Sequence, residues 1–289
     1  MNTNFQALLV LLDDPDQSVF DTVKEEFYKQ GIAIIPDLEQ AWESTFDEFA
    51  RERIEEIIHD LQFRELKNDL QNWKSNNQED LLQGAWLIAR YQYPDLAYED
   101  INTKIEQIKY DIWLELADNL TALERVKVIN HIFFEIHKFS GNVKNYFSPV
   151  NSFLNQVLEM KKGNPISLAI IYSTLAKRLE IPVYGVNLPK NFILAYMDEQ
   201  LENHHLPIEE KDVLFYINPF NRGLVFGKRE IDLYLDQQKL EQQVEFYKPC
   251  SNLAIIRRIV QNLTYSYEQL GFSDKVNDMK ELMDLLDES

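Results

Sequence analysis

The sequence predicts an α+β fold that is predominantly helical, and three observations support this prediction. Through the first half of the chain, apolar residues recur at the three- and four-residue spacing of amphipathic helices. Short apolar runs rich in β-branched and aromatic residues, which are typical of strands, are confined to residues 183–226. The helical spacing returns from residue 252, so we expect a small sheet that is flanked in the sequence by helices.

The first part of the chain carries clear helix start and stop signals. A turn signal at residues 13–16 is followed by apolar residues on one helical face, namely Val19, Val23 and Phe27. Gly31 is expected to end this helix, and Pro36 falls in the first turn of the next one. The stretch as a whole resembles one HEAT-type helical pair, in which two antiparallel helices need neighbours to bury their apolar faces.

The remaining elements follow from the same two patterns. The predicted helices are 46–73 with a break near Phe63, 80–91, 98–116, 122–139, 166–179, one that begins at Asn252, and 274–286. The predicted strands are 183–188, 192–196, 213–217 and 223–226, with the polar residues 197–207 as the turn between two of them.

Composition excludes several classes of function. The formal net charge of −19 argues against nucleic-acid and anionic-membrane partners, because both attract clustered Lys and Arg. A single cysteine excludes an internal disulfide and a multi-cysteine metal site. The start of the chain lacks the pattern of a secretory signal, and no apolar run is long enough to span a membrane. We therefore expect a cytoplasmic protein. Its acidic charge serves solubility, and the alternative is a basic protein partner.

Four segments in the second half carry a family resemblance. They are Gly163-Asn164-Pro165-Ile166-Ser167-Leu168, Leu179-Glu180-Ile181-Pro182, Asn187-Leu188-Pro189-Lys190-Asn191-Phe192-Ile193-Leu194 and Phe215-Tyr216-Ile217-Asn218-Pro219-Phe220-Asn221. In this order they resemble the transglutaminase-like superfamily, and in particular a bacterial branch named for a virulence regulator. The resemblance implies a papain-like core with a small antiparallel sheet, preceded by a helical region.

The helical pattern and the resemblance together indicate how the chain is organised. We expect a helical N-terminal region with a HEAT-like start over residues 1–145. The transglutaminase-like core is expected over residues 146–248, and a helical C-terminal pair over residues 249–289.

Active members of the superfamily have a cysteine nucleophile at the start of a buried helix, a histidine base and an aspartate that orients the histidine. The resemblance implies which positions of this chain correspond to these three residues. Counted without gaps from Gly163, the cysteine position falls on Pro165. The histidine position falls on Asn191 and the aspartate position on Asn218. Proline offers no nucleophile, and asparagine takes up no proton near neutral pH. The resemblance therefore implies a member that lacks all three catalytic groups.

Two residues are candidates to replace the missing nucleophile. Ser167 lies two positions after Pro165, roughly 200° around a helix, where a serine also serves to satisfy backbone N–H groups. Cys250 precedes a predicted helix start, but no histidine is near it in the sequence, and a small buried apolar role is the alternative. His204 and His205 are adjacent in a predicted turn, yet spacing supplies no third metal ligand. We expect neither a metal nor another cofactor.

The sequence thus favours a non-catalytic, regulatory protein that binds a protein or peptide through its degenerate cleft or its helical surface. The cleft residues expected to bind are Asn187, Asn191, Asn218 and Asn221, since an asparagine amide offers both donors and an acceptor. A purely local role of these asparagines in caps and turns is the structural alternative. The functional alternative is an acyl-transfer enzyme, a transglutaminase-like amidase or protease with a non-standard nucleophile.

Overall fold

The computed structural model describes residues 3–198 and 212–287. The chain forms two compact units, one up to Leu70 and one from Gln71 onward. None of the helices in the two described ranges combines the length with the apolar character that a membrane-spanning segment needs.

The first unit is built of helices whose ends follow the signals in the sequence. These helices are α1 (Thr3–Val10), α2 (Gln17–Gln30), α3 (Ile35–Ser44) and the portion of α4 (Glu48–Asn76) that precedes residue 71. The Asp16 carboxylate accepts a hydrogen bond from the Ser18 N–H at 2.8 Å and caps α2. Gly31 ends α2 with a φ of +64°, and Pro36 lies in the first turn of α3. The core contains Leu12, Phe20, Phe27, Leu38 and Ile57.

The second unit contains the remaining helices and the strands. Its helices are α5 (Leu81–Arg90), α6 (Tyr98–Glu115), α7 (Ala122–Asn130), α8 (Leu154–Met160), α9 (Pro165–Arg178), α10 (Lys228–Gln238), α11 (Asn252–Leu270) and α12 (Ser273–Asp287). Its strands are β1 (Ser140–Gly141), β2 (Lys162–Gly163), β3 (Val183–Val186), β4 (Ile193–Met197), β5 (Val213–Asn218) and β6 (Leu224–Phe226). One π-helical turn, His131–Ile136, continues α7.

The four longer strands form an antiparallel sheet in the order β3-β4-β5-β6. Each strand pairs with the next one along the chain, so the sheet is a meander with local connections. The two-residue strands β1 and β2 form a separate parallel pair in which Gly141 lies opposite Gly163.

Helix α9 is the centre of the second unit. Every residue from Pro165 to Ala176 is buried, and the helix contacts β3 and β4 on one side and α5, α6 and α11 elsewhere. A helix that is covered all round needs apolar residues on all its faces, and the sequence supplies them. The helix ends next to β3, since the Ile181 N–H donates to the Ala176 carbonyl at 2.9 Å.

The structure confirms the predominantly helical α+β class and the four predicted strands. The break predicted near Phe63 is wrong, because α4 is continuous there and Phe63 is buried with its ring stacked on His59 at 5.9 Å. Helices α8 and α10 were not predicted. The turn predicted at 197–207 falls largely outside the described residues, and the division at residues 145 and 248 stays a prediction.

Candidate functional site

The N-terminal end of α9 is closed by a buried capping box. The Asn164 Oδ1 accepts from the Ser167 N–H at 2.9 Å, and the Ser167 Oγ accepts from the Asn164 N–H at 3.1 Å. The Asn164 amide also donates to the Ser152 hydroxyl at 3.0 Å. Because all three residues are buried, water cannot satisfy these groups, and the first N–H groups of α9 depend on the box.

Two glycines allow the chain to approach this helix end closely. A Cβ on Gly163 would lie 2.4 Å from the Ser167 Oγ, so a larger residue would displace the capping hydroxyl. A Cβ on Gly141 would lie 2.6 Å from the ring of Phe220. Since Gly141 pairs with Gly163 between β1 and β2, the Phe220 ring is held beside the start of α9.

A second buried network positions the segment between β1 and α8. The Asn142 amide donates to the Asn151 Oδ1 at 2.8 Å. The Asn151 amide in turn donates to the carbonyls of Asn145 and Tyr146, at 2.7 and 3.0 Å. Asn151 is fully buried, so these bonds fix the backbone that carries Tyr146. The Tyr146 ring packs edge-on against Phe220, with the ring centroids 5.7 Å apart.

A third contact joins the middle of α9 to the turn before β6. The Tyr172 hydroxyl donates to the Asn130 Oδ1 at 3.0 Å, and the Asn130 amide donates to the Gly223 carbonyl at 2.9 Å. Burial raises the pKa of Tyr172, so this hydroxyl stays protonated and acts as a donor. Gly223 has a φ of +70°, and a Cβ there would lie 2.0 Å from the Asn130 Oδ1. This position therefore requires glycine.

The four predicted cleft asparagines lie at one end of the sheet. In the antiparallel meander, β3 ends where β4 begins and where β5 ends. Asn187 follows β3, Asn191 precedes β4 by two residues, Asn218 is the last residue of β5, and Asn221 ends the turn after it. We call these four residues the asparagine end of the sheet. The turn Pro219–Asn221 contacts α9, which places this end beside the helix that begins at Pro165.

Backbone and side-chain donors fix the orientation of three of these amides. The Asn191 Oδ1 accepts from the Phe192 N–H at 2.8 Å, and the Asn218 Oδ1 accepts from the Asn221 N–H at 3.1 Å. The Asn187 Oδ1 accepts from the Arg258 Nη1 at 3.1 Å. Each oxygen is thus committed, whereas the three Nδ2 groups donate no hydrogen bond to any described residue.

Arg258 of α11 is the functional candidate that sequence reasoning missed. It is half-buried, and desolvation lowers the pKa of its guanidinium, which nevertheless stays charged. Its charge opposes the effect of burial on Tyr146 and Tyr234, whose pKa values are both raised chiefly by desolvation. The periodicity around Arg258 identifies only the apolar face of α11. No local signal connects it with Asn187, which is 71 residues earlier.

Among the described residues, neither candidate nucleophile has an activating environment. The Ser167 hydroxyl is engaged in the capping box, where it also donates to the Asn164 carbonyl at 3.2 Å. The structure thereby confirms that Ser167 satisfies the backbone of the first helical turn. Cys250 is half-buried, and its N–H donates to the Gly185 carbonyl at 2.9 Å. Desolvation raises the pKa of the Cys250 thiol to about 12, the opposite of what a nucleophile needs.

The described histidines are His59, His131 and His137. His59 is in the first unit. His131 and His137 are in or beside the turn that continues α7, and the His137 Nε2 is 2.8 Å from the Asp111 Oδ2. His204 and His205 lie outside the described residues. In the part of the chain that the structure describes, no group of three or more His, Cys, Asp or Glu residues could hold a metal ion.

Comparisons with known proteins identify one matching family model and several relatives. A family model described as transglutaminase-like superfamily matches residues 99–261, which is more than half of the chain. A UPF0162 protein of Xylella fastidiosa (strain 9a5c) is 31% identical over 204 residues, covering 68% of this chain and 67% of that protein. A UPF0162 protein of Vibrio cholerae is 27% identical over 148 residues, covering 50% of each chain.

A eukaryotic relative extends the similarity along the chain. F-box only protein 21 of Mus musculus is 23% identical over 285 residues, which covers 90% of this chain and 44% of that protein. The chain thus spans about two thirds of the length of the first UPF0162 relative and less than half of the mouse protein. No solved structure matches the chain significantly.

We predict that the buried capping box of α9 contributes more to stability than an exposed one. Asn164→Ala removes the hydrogen bonds to Ser167 and Ser152 and should lower the free energy of unfolding by about 2–3 kcal/mol. Thr121→Ala removes the exposed capping box of α7 and should cost about 1 kcal/mol. Urea denaturation of both variants measures the difference, and equal losses would contradict the role given to burial.

We also predict that the Cys250 thiol is slow to react in the folded protein. Because the thiolate is the reactive form, alkylation by iodoacetamide at pH 8 should be at least tenfold slower in the folded than in the urea-unfolded chain. The rate should keep rising with pH beyond 9. The control is Asn277→Cys in a Cys250→Ser background, which places a thiol at an exposed position of α12. A rate for Cys250 that levels off below pH 8 would indicate an activated thiol.

Proposed function

The chain belongs to the transglutaminase-like superfamily, and we propose that it is a non-catalytic member that binds a protein or peptide at the asparagine end of its sheet. The family resemblance assigns Pro165, Asn191 and Asn218 to the positions of the catalytic cysteine, histidine and aspartate. None of these side chains supplies a nucleophile or a general base near neutral pH. The same positions would then serve for binding.

One observation at the asparagine end carries this proposal. Three amide oxygens there accept hydrogen bonds within the chain, whereas the N–H groups of the same amides donate none to a described residue. The oxygens of Asn187, Asn191 and Asn218 each accept a hydrogen bond within the chain. Their Nδ2 groups have no acceptor among the described residues, and the three residues lie at or next to adjacent ends of β3, β4 and β5. A peptide offers a carbonyl oxygen at every residue, which is the complementary acceptor.

The fixed oxygens also support binding in a second way. An amide whose oxygen is already bonded cannot rotate freely, so its donor group is held in one orientation before a partner arrives. Such preorganisation lowers the entropic cost of binding. A role limited to local structure would use the oxygens alone and would leave the donor groups to water.

The acyl-transfer alternative finds no support in the surroundings of its two nucleophile candidates. The Ser167 hydroxyl is buried and forms hydrogen bonds within its own helical turn. The raised pKa of the Cys250 thiol keeps it protonated at neutral pH. Acyl transfer needs a nucleophile with an adjacent base, and no described histidine is hydrogen-bonded to Ser167 or Cys250.

We predict that the asparagine end determines peptide affinity. On an array of immobilised peptides of random sequence, the double variant Asn191→Ala/Asn218→Ala should bind the selected peptides about tenfold more weakly than the wild type, because two donors are lost. Asn277→Ala removes an exposed asparagine of α12 and should leave the affinity unchanged. Thermal unfolding of each variant controls for stability. Equal peptide affinity of the double variant and the wild type would show that the peptide does not bind at the asparagine end.

We predict no covalent labelling of the folded protein by a fluorophosphonate probe for active serines. Mass spectrometry after incubation at pH 7.5 should find less than stoichiometric label at Ser167, and the amount should not depend on whether the chain is folded. Stoichiometric label at Ser167 that disappears in urea would establish the acyl-transfer function instead. Ser251, an exposed serine that caps α11, provides the unactivated reference within the same chain.

A further inference from the structure

Arg258 is a half-buried cation without an anionic partner among the described residues. A guanidinium has five N–H donors, and the one hydrogen bond that Arg258 forms within the described chain is to the Asn187 Oδ1 at 3.1 Å. The chain carries 48 acidic and 29 basic residues, so carboxylates are abundant elsewhere. The neighbouring Arg257 is paired, with its Nη2 2.5 Å from the Asp287 Oδ1.

The groups around Arg258 are polar but neutral. The positive charge acts on the hydroxyls of Tyr146 and Tyr234 and on the Cys250 thiol, and no carboxylate of the described chain acts on it in return. The Tyr234 hydroxyl donates to the Pro189 carbonyl at 2.8 Å. The Tyr146 hydroxyl forms no hydrogen bond with a described residue. We call Arg258, Asn187, Tyr146 and Tyr234 the Arg258 cluster.

The Arg258 cluster adjoins the asparagine end of the sheet. Asn187 belongs to both, and Tyr234 bonds to the loop between Asn187 and Asn191. Tyr146 packs against Phe220, which lies between Asn218 and Asn221. A partner that reaches the free amides of the asparagine end therefore comes within reach of the guanidinium.

The chemistry of the Arg258 cluster fits a carboxylate. A planar guanidinium binds a carboxylate with two parallel N–H···O bonds, and a half-buried position strengthens this interaction by reducing the screening of charge. One positive charge surrounded by neutral donors balances a monoanion. A phosphate dianion would call for additional cations, and Lys190, the basic residue in the adjoining loop, is exposed and donates to the Gln238 Oε1 at 3.2 Å.

We propose that the Arg258 cluster binds a carboxylate of the partner peptide, with Arg258 as the specificity-determining residue. This proposal rests on the proposed function, because it assigns a chemical class to the ligand of the same site. The carboxylate belongs either to the C-terminus of the peptide or to an Asp or Glu side chain. The Asn187 Nδ2 and the Tyr146 hydroxyl add neutral donors beside the guanidinium.

Three sets of immobilised peptides test the proposal with the full chain. The first set has free C-termini and no Asp or Glu, the second has amidated C-termini and internal Asp or Glu, and the third has neither carboxylate. The wild type should bind the first or the second set, and the set that binds identifies the source of the carboxylate. Arg258→Gln should weaken this binding about tenfold or more, since a charge-assisted bond is lost.

Arg257→Gln is the matched control, because it removes the adjacent arginine of α11 and should leave peptide affinity within twofold of the wild type. Arg258→Lys keeps the charge but not the planar fork, so it should bind more weakly than the wild type and more tightly than Arg258→Gln. Thermal unfolding verifies that the variants are folded. If Arg258→Gln does not fold, Arg258→Lys decides the test. A peptide affinity of Arg258→Lys equal to that of the wild type would contradict binding of a carboxylate by two parallel guanidinium hydrogen bonds.

The failures of the two proposals are distinguishable. In one outcome, the third set binds as tightly as the others, with the same affinity for the wild type and Arg258→Gln. This result would contradict the proposal that Arg258 binds a carboxylate, and it would leave the proposal of peptide binding intact. Binding of no set by the wild type would overturn peptide binding itself, and the carboxylate with it.

Discussion

The second unit depends on one constraint, namely that the N-terminal end of α9 has no access to water. Every residue from Pro165 to Ala176 is buried, so the free N–H groups of the first helical turn need partners within the protein. The Asn164 Oδ1 accepts from the Ser167 N–H, and the Ser167 Oγ accepts from the Asn164 N–H. The Ser152 hydroxyl accepts from the Asn164 side-chain amide and so holds the cap in place. Proline at the first helical position adds to this arrangement, because it has no N–H to satisfy. The glycine pair of β1 and β2 then brings the surrounding chain close enough to cover the helix end.

Under the proposed function, this constraint explains how a superfamily core persists without the groups of acyl transfer. A catalytic cysteine at the start of such a helix would use its N–H groups to lower a thiol pKa. In this chain, the serine and the asparagine of the capping box use the same N–H groups for stability. The turn Pro219–Asn221 at the asparagine end contacts α9, and Arg258 of α11 donates to Asn187 at the same end. This arrangement supports the proposed recognition of a peptide.

The acidity of the chain makes the electrostatics of this region unusual. A net charge of −19 suggests a surface that repels anions, and the long-range field does so. Salt screens that field beyond about 8 Å, so the local groups decide what binds at short range. Around Arg258 the described groups are neutral, and the guanidinium is partly shielded from water. A positively charged, anion-binding site can therefore exist within an acidic protein.

The sequence by itself determined the class of the fold, the helix ends at Asp16 and Gly31, the four strands of the sheet and the family. These follow from periodicity, from caps and from local motifs, which act over a few residues. Tertiary structure decided the rest: the continuity of α4 through Phe63, the burial of α9 and the meeting of Asn187 with Arg258. Such features depend on packing between segments far apart in the chain, and no local pattern encodes which donor meets which acceptor. The motifs identified the four asparagines. Only the structure showed that the oxygens of Asn187, Asn191 and Asn218 accept hydrogen bonds while their Nδ2 groups donate none to a described residue.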